Sequence, residues 1–276
     1  MPELPEVETV RRGLEPLLRG RSIEAAEIAD GRLTAPEDPV AVAAELLGER
    51  FTGVGRRGKY LLFGLDSGRT LVVHLRMTGW FHHQCGPDGE ALTHVRAVLG
   101  LDDGASLVYA DQRRFGTWRL IAPGELDDHL RPRAGPEPLS EEWTPRRFRH
   151  DLAGRRASVK ALLLHQGVVA GVGNIYADEA LWQARIHPLR PGGELTAAEV
   201  RRLHAAVVET LERGIAHQGA SIRNYRGPDG APGSMQERFN AYDRDGEPCP
   251  RCGTLIEKIR VAQRGTHLCP RCTRQP

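Results

Sequence analysis

Residues 60–76 read Tyr-Leu-Leu-Phe-Gly-Leu-Asp-Ser-Gly-Arg-Thr-Leu-Val-Val-His-Leu-Arg. Two apolar runs rich in β-branched and aromatic side chains flank Asp66-Ser67-Gly68, a turn signal, so the stretch predicts an antiparallel hairpin. Working outward, strand-like runs stand at 22–29 and 51–54 before it, and at 95–101, 106–110 and 117–121 after it. Asp102-Asp103-Gly104 marks a second hairpin turn, and a short helix is expected at 39–47. Before the strands, Val7, Val10, Leu14 and Leu17 share one helical face. Pro5 is tolerated in a first turn, whereas Pro16 is expected to end or bend that helix. The first half therefore predicts an antiparallel sandwich or barrel of about eight strands with a helix packed on it.

The pattern breaks at 131–138, where three prolines and a glycine mark a linker. Beyond it the apolar period becomes helical, at 145–152, 159–165, 175–184 and 197–217. Thr144 before Pro145 reads as an N-cap, and Thr196-Ala-Ala-Glu199 as a capping box. Residues 219–233, rich in glycine, proline and polar side chains, read as a long mobile loop, a length uncommon unless it has a task. These boundaries give an N-terminal domain at 1–133, a linker at 134–139, a helical domain at 140–240 that includes the loop, and a cysteine module at 241–276. The fold class is α+β, multi-domain.

The 276 residues are 40% hydrophobic and 27% charged, which excludes a disordered tail protein. No run approaches the roughly 20 apolar residues of a membrane span, and the acidic, proline-containing start is unlike a secretory or transit signal. A soluble chain without membrane attachment is expected. The net charge of +2 is unevenly spread, about −3 over residues 1–133 and +5 over the rest, hinting at a polyanionic partner. Lys59, Lys160 and Lys258 are the only lysines among 38 cationic side chains.

Of five cysteines, four form Cys249-Pro-Arg-Cys252 and Cys269-Pro-Arg-Cys272. Two such knuckles complete a tetrahedral zinc site, with an Fe–S cluster or a redox pair as the competing readings. Four closed ligands make the metal structural. Strands at 255–261 and 266–268, joined at Gln263-Arg264-Gly265, would form a hairpin finger that presents Arg260 and Arg264 to phosphate. At the other end of the chain, removal of Met1 leaves Pro2 with a secondary amine. An α-amino pKa of about 7.7–8.0 leaves on the order of a tenth of it neutral at pH 7. Such an amine attacking an aldehyde-level carbon gives an iminium, an electron sink. Glu3, Glu6 and Glu8 follow it; carboxylates there also complement a helix dipole.

Met1-Pro-Glu-Leu-Pro-Glu-Val-Glu-Thr9 resembles the N-terminal signature of the formamidopyrimidine-DNA glycosylases, bacterial enzymes that excise 8-oxoguanine. The resemblance continues through Gly58-Lys59-Tyr60-Leu61, His74-Leu-Arg-Met77-Thr-Gly, Asp111-Gln-Arg113-Arg114-Phe115-Gly and Gly171-Val-Gly-Asn174-Ile-Tyr-Ala into the finger. It implies an N-terminal β-sandwich, a helix–two-turns–helix domain and a zinc hairpin finger. It further implies base-excision repair of oxidised purines in duplex DNA, 8-oxoguanine opposite cytosine and formamidopyrimidines, by a monomeric glycosylase and abasic-site lyase of the bacterial cytoplasm and nucleoid. Pro2 would attack C1′, Glu3 would transfer protons at the sugar, and Glu6 would support the site. Lys59 would donate a proton, and Arg264 is linked with the last of the β- and δ-eliminations. Met77, Arg113 and Phe115 would fill the gap left by the flipped nucleotide, Arg113 reading the widowed cytosine. His94, Arg114, Arg156, Asn174 and Arg264 would hold phosphates, loop 219–233 would cap the flipped base, and His74, Lys160 and Lys258 are further candidates. Gln112 departs from the proline common in the family. Two other readings are a glycosylase of the endonuclease VIII branch, which acts on oxidised pyrimidines, and a non-catalytic zinc-finger damage sensor.

Overall fold

The structure, a computed structural model, describes residues 1–86, 92–222, 225–228 and 230–274. It forms two compact units, residues 1–131 with 217–234, and residues 132–216 with 235–276. Loop 219–233 thus belongs to the first unit although it follows the helices of the second, and the expected span 140–240 is divided accordingly.

The first unit opens with α1 (Leu4–Leu18), whose Leu4, Val7, Val10, Leu14 and Leu18 are buried. Leu18 takes the inward place expected for Leu17, and the helix runs through Pro16 for two more residues. A proline so near the end removes only one of the last hydrogen bonds. The strands are β1 (Ile23–Ile28), then, after α2 (Pro39–Leu46), β2 (Phe51–Arg57), β3 (Tyr60–Leu65), β4 (Thr70–His74), β5 (Gly79–Cys85), β6 (Val95–Leu101), β7 (Ala105–Asp111) and β8 (Thr117–Ile121). All pair antiparallel, in two four-stranded sheets ordered β1-β6-β7-β5 and β2-β3-β4-β8. The two share one core. Rings from both sheets meet in it, Phe63 against Phe81 at 5.3 Å, Phe81 against Tyr109 at 5.1 Å and Tyr109 against Trp118 at 5.5 Å. The sandwich is as expected. Among the described residues its one unforeseen strand is β5, whose His82-His83-Gln84 lacks strand-forming side chains and which lies at a sheet edge. A short α3 (Leu126–Leu130) ends the continuous part.

The second unit carries α4 (Pro145–Leu152), α5 (Val159–Leu164), α6 (Asn174–Ala184) and α7 (Ala197–Ala216), with single 3₁₀ turns at Gly192–Glu194 and Met235–Arg238. The caps are those the sequence signals: Thr144 accepts from the Arg147 N–H at 3.1 Å, and Thr196 and Glu199 exchange bonds at 2.9 and 3.3 Å. The finger hairpin is β9 (Glu257–Val261) and β10 (Arg264–Leu268). Its turn is Ala262-Gln263, both with positive φ, so Arg264 opens a strand rather than standing in the turn as expected. Two-residue turns of this hand usually take asparagine and glycine, which is why composition pointed to Gly265 instead.

Candidate active site and zinc finger

In the first unit, α1 gathers the residues expected to do chemistry. Pro2 is buried just ahead of it, and Glu3 and Glu6 are 3% and 2% exposed. The Glu6 carboxylate accepts from the Glu3 N–H at 2.7 Å through one oxygen and from the Ala220 N–H at 2.8 Å through the other. One acidic side chain therefore fixes both the start of the helix and the start of segment 217–234. The Tyr225 hydroxyl donates to the Glu6 carbonyl at 3.2 Å, and Gly219 has φ +80° with its α-carbon packed on Glu6, where a Cβ would collide. The described part of 219–233 is thus seated on α1; residues 223, 224 and 229 lie outside the described residues.

Two residues on, Glu8 takes hydrogen bonds from Arg11 at 2.9 Å, Arg12 at 2.8 Å and Arg56 at 3.1 Å. Burial opposes ionisation there, yet the three guanidiniums prevail and bring its pKa down to about 2. Arg56 also donates to the Gly58 carbonyl at 3.0 Å, which anchors the β2–β3 turn that carries Lys59. Lys59 is 5% exposed. Across the sheet from Tyr60 stands His74, pushed down to about 3 by burial first and then by the charges of Arg76 and Lys59. Its Nδ1 accepts from the Arg76 N–H at 2.9 Å, so the ring is neutral with its proton on Nε2.

Two loops of the same unit hold the expected gap-filling side chains. Met77 lies half-buried between β4 and β5, and Arg113 and Phe115 are exposed between β7 and β8, the guanidinium 4.8 Å from the ring centre. Arg114 turns away from them to a two-pronged pair with Asp30 at 2.5 and 2.8 Å. His94 is exposed in a left-handed backbone conformation, as is Arg114.

In the second unit, Asn174 and Arg264 come together. Asn174 opens α6 and its Nδ2 donates to the Gly265 carbonyl at 3.0 Å, beside Arg264. Gly173 caps α6 with no side-chain bond and no acid stands in the first turn, so the positive helix end suits an anion. The hairpin is held from below by Lys160, fully buried, whose Nζ lies 2.5 Å from Asp178 and 2.7 Å from the Thr266 hydroxyl. Asp178 in turn accepts from the His267 N–H at 2.9 Å. Lys160, left as a further candidate by its sequence alone, is a strut of this unit. Glu179 is equally buried and accepts the N–H groups of Asn240, Ala241 and Tyr242 at 2.8–3.0 Å. Nothing in the apolar period of α6 announces either acid. Arg156 is exposed in the turn after α4.

The four module cysteines converge, with Sγ separations of 3.4, 3.5 and 4.0 Å. Bonds of about 2.3 Å to a tetrahedral zinc require S···S distances of about 3.8 Å, so the donors fit one structural zinc. The Trp182 indole N–H donates to Cys249 Sγ at 3.3 Å, and Arg251 lies 4.0 Å over the same ring, which ties the knuckle to α6. Cys85 is exposed at the end of β5, in the first unit.

A β-sandwich, a helical unit and a four-cysteine hairpin finger in this order define a zinc-finger DNA glycosylase of the helix–two-turns–helix class. Residues 1–118 match the formamidopyrimidine-DNA glycosylase N-terminal domain, 134–226 its H2TH domain, and 246–275 the zinc finger found in FPG and IleRS. The formamidopyrimidine-DNA glycosylase of Symbiobacterium thermophilum is 51% identical over 100% of this chain and 90% of its own length; that of Chloroflexus aurantiacus is 48% identical over 99% and 97%. Among solved structures, Lactococcus lactis FPG (MutM) in complex with a FAPY-dG containing DNA superposes with a TM-score of 0.91, at 39% identity over 99% of this chain and 100% of that one. The same enzyme's complex with an abasic site containing DNA gives 0.92, again at 39% and the same coverage. The chain belongs to the formamidopyrimidine-DNA glycosylase family, and is a base-excision DNA glycosylase and abasic-site lyase. No helix among the described residues is long and apolar enough to cross a membrane.

Proposed function

We propose that this protein excises 8-oxoguanine opposite cytosine, and formamidopyrimidines, from duplex DNA with the Pro2 amine as nucleophile, working as a monomer on the DNA of the bacterial nucleoid. The observation that carries the reading is the setting of Pro2. It is buried beside Glu3 and Glu6 at the head of α1, with buried Lys59 on a turn tied to the same helix through Arg56 and Glu8. With Met1 removed, the neutral amine attacks C1′ and the base leaves with a proton. Glu3 protonates the ring oxygen as the sugar opens to an iminium. The iminium acidifies C2′, so loss of that proton expels the 3′ phosphate; a second elimination expels the 5′ phosphate.

Met77 and Phe115 are suited to wedge the gap left by the flipped nucleotide, and Arg113 to meet the cytosine left behind. Asn174 and Arg264 form a phosphate grip in the second unit. Arg156, Arg114 and His94 add further backbone contacts, which set affinity without sequence preference. The described residues of 219–228 are seated near the Glu6 end of α1, as a cap over the extruded base requires.

The test is borohydride trapping on a duplex with 8-oxoguanine opposite cytosine, followed by mass mapping of the cross-linked peptide. The expected adduct is on Pro2 of a chain lacking Met1. An adduct formed only on an oxidised-pyrimidine duplex would move the substrate class to the endonuclease VIII branch, and binding without any adduct would refute the amine mechanism.

A further inference from the structure

Asp111, the last residue of β7, is 1% exposed and sits where the two gap-filling loops meet. One carboxylate oxygen is 2.5 Å from the Thr78 hydroxyl, in the loop of Met77, and accepts from the Arg113 N–H at 3.2 Å. The other accepts from the Gly116 N–H at 2.8 Å, so the carboxylate spans both ends of the Arg113–Phe115 turn. Thr78 closes the triangle, its hydroxyl oxygen accepting from the Arg113 N–H at 3.0 Å. The Asp111 main chain reaches a third expected DNA contact, its N–H donating to the His94 carbonyl at 2.9 Å. Behind it the Tyr109 ring fills the space over Gly79 and Gly116, where any Cβ would overlap its hydroxyl. Both loops are thereby pressed against one rigid floor.

An ionised acceptor holding several donors in a dry site is worth more than the same bonds in water, and it fixes geometry as well as energy. Asp30 holds the second loop separately, at Arg114, but it is Asp111 that joins this loop to the Met77 loop; Arg76 and Arg114 both take left-handed conformations, and Phe115 is 52% exposed. We infer that Asp111, acting with Thr78, is a positioning residue that locks the Met77 loop to the Arg113–Phe115 loop, so that the three side chains enter the duplex as one piece and hold Arg113 in register with the opposite base. This rests on the proposed role of the three side chains. Its consequence is that the preference for cytosine over adenine opposite the lesion depends on a buried carboxylate that touches no DNA.

Excision of 8-oxoguanine opposite cytosine and opposite adenine is compared for wild type, Thr78→Val, Thr78→Ser, Asp111→Asn and Arg113→Ala. Borohydride trapping on a single-stranded abasic oligonucleotide, which needs neither flipping nor an opposite base, is run beside it. Valine keeps the shape of threonine, so Thr78→Val remains informative if Asp111→Asn misfolds. Thr78→Val and Asp111→Asn are expected to cut the cytosine preference about tenfold, the size of losing a charge-assisted hydrogen bond. Single-strand trapping stays at the wild-type level, and Thr78→Ser restores the preference. If Arg113→Ala loses the preference while Thr78→Val keeps it, the lock is refuted and the reading of Arg113 survives. If Arg113→Ala itself keeps the preference, that reading falls and the lock with it.

Discussion

The fold opposes protonation of His74. Held near 3 by burial and by the charges of Arg76 and Lys59, it stays neutral while the unfolded chain takes up a proton below its ordinary 6.5. Between those values the unfolded state binds more protons, so His74's contribution is complete above pH 6.5 and is lost as the pH falls. By pH 4 the loss amounts to about 3 kcal/mol. His74→Asn keeps an acceptor for the Arg76 N–H and cannot titrate. Urea unfolding across pH 4–7.5 should show the variant with the flatter profile, and parallel profiles would mean that His74 is protonated in the fold. The sequence placed His74 in a motif but could not give its state. That state depends first on burial in the sandwich, then on Arg76, and then on Lys59, fifteen residues earlier and brought near by the β2–β3 and β3–β4 pairings.

At the scale of elements, the legible parts were those written in local chemistry. The two hairpins followed from their turn residues, α4 and α7 from their caps, and the zinc knuckles from cysteine spacing. What stayed hidden was set by partners far along the chain. The 219–233 segment reads as mobile from its composition, yet Glu6, more than 200 residues earlier, supplies its anchor. Asp111 did carry a local sign, since an aspartate accepting from the N–H two residues on is the Asx turn; its grip on Thr78 was not readable. Lys160 and Asp178 are the clearest case, a pair 0% exposed on both sides that supports the finger hairpin through Thr266 and Gly265. Removing one partner of a buried pair strands the other's charge, at a cost of about 3–5 kcal/mol. Lys160→Met should therefore destabilise the zinc-loaded protein by that amount in urea unfolding, and adding Asp178→Asn should recover much of it. A single variant as stable as wild type would show that the pair contributes nothing to the fold.

For the molecule as a whole, the net charge of +2 is too small for a uniform field to draw in DNA, so the salt dependence of binding must come from individual cations. Each phosphate neutralised by a free cation releases counterions and adds about −0.9 to the slope of log K against log salt. The three arginines proposed as phosphate contacts are not equivalent in this respect. Arg156 and Arg264 are exposed and have no carboxylate partner among the described residues, whereas Arg114 is already paired with Asp30 through two hydrogen bonds. A guanidinium that arrives with its own carboxylate brings little net charge to a phosphate and releases fewer counterions. In fluorescence anisotropy between 50 and 200 mM salt, Arg264→Ala and Arg156→Ala should each flatten the slope by about 0.9, and Arg114→Ala by clearly less. Removing Asp30 instead, as Asp30→Asn, frees Arg114 and should steepen the slope. Equal losses for Arg114→Ala and Arg264→Ala would mean that the Asp30 pair opens when DNA binds, and that the phosphate competes successfully for Arg114.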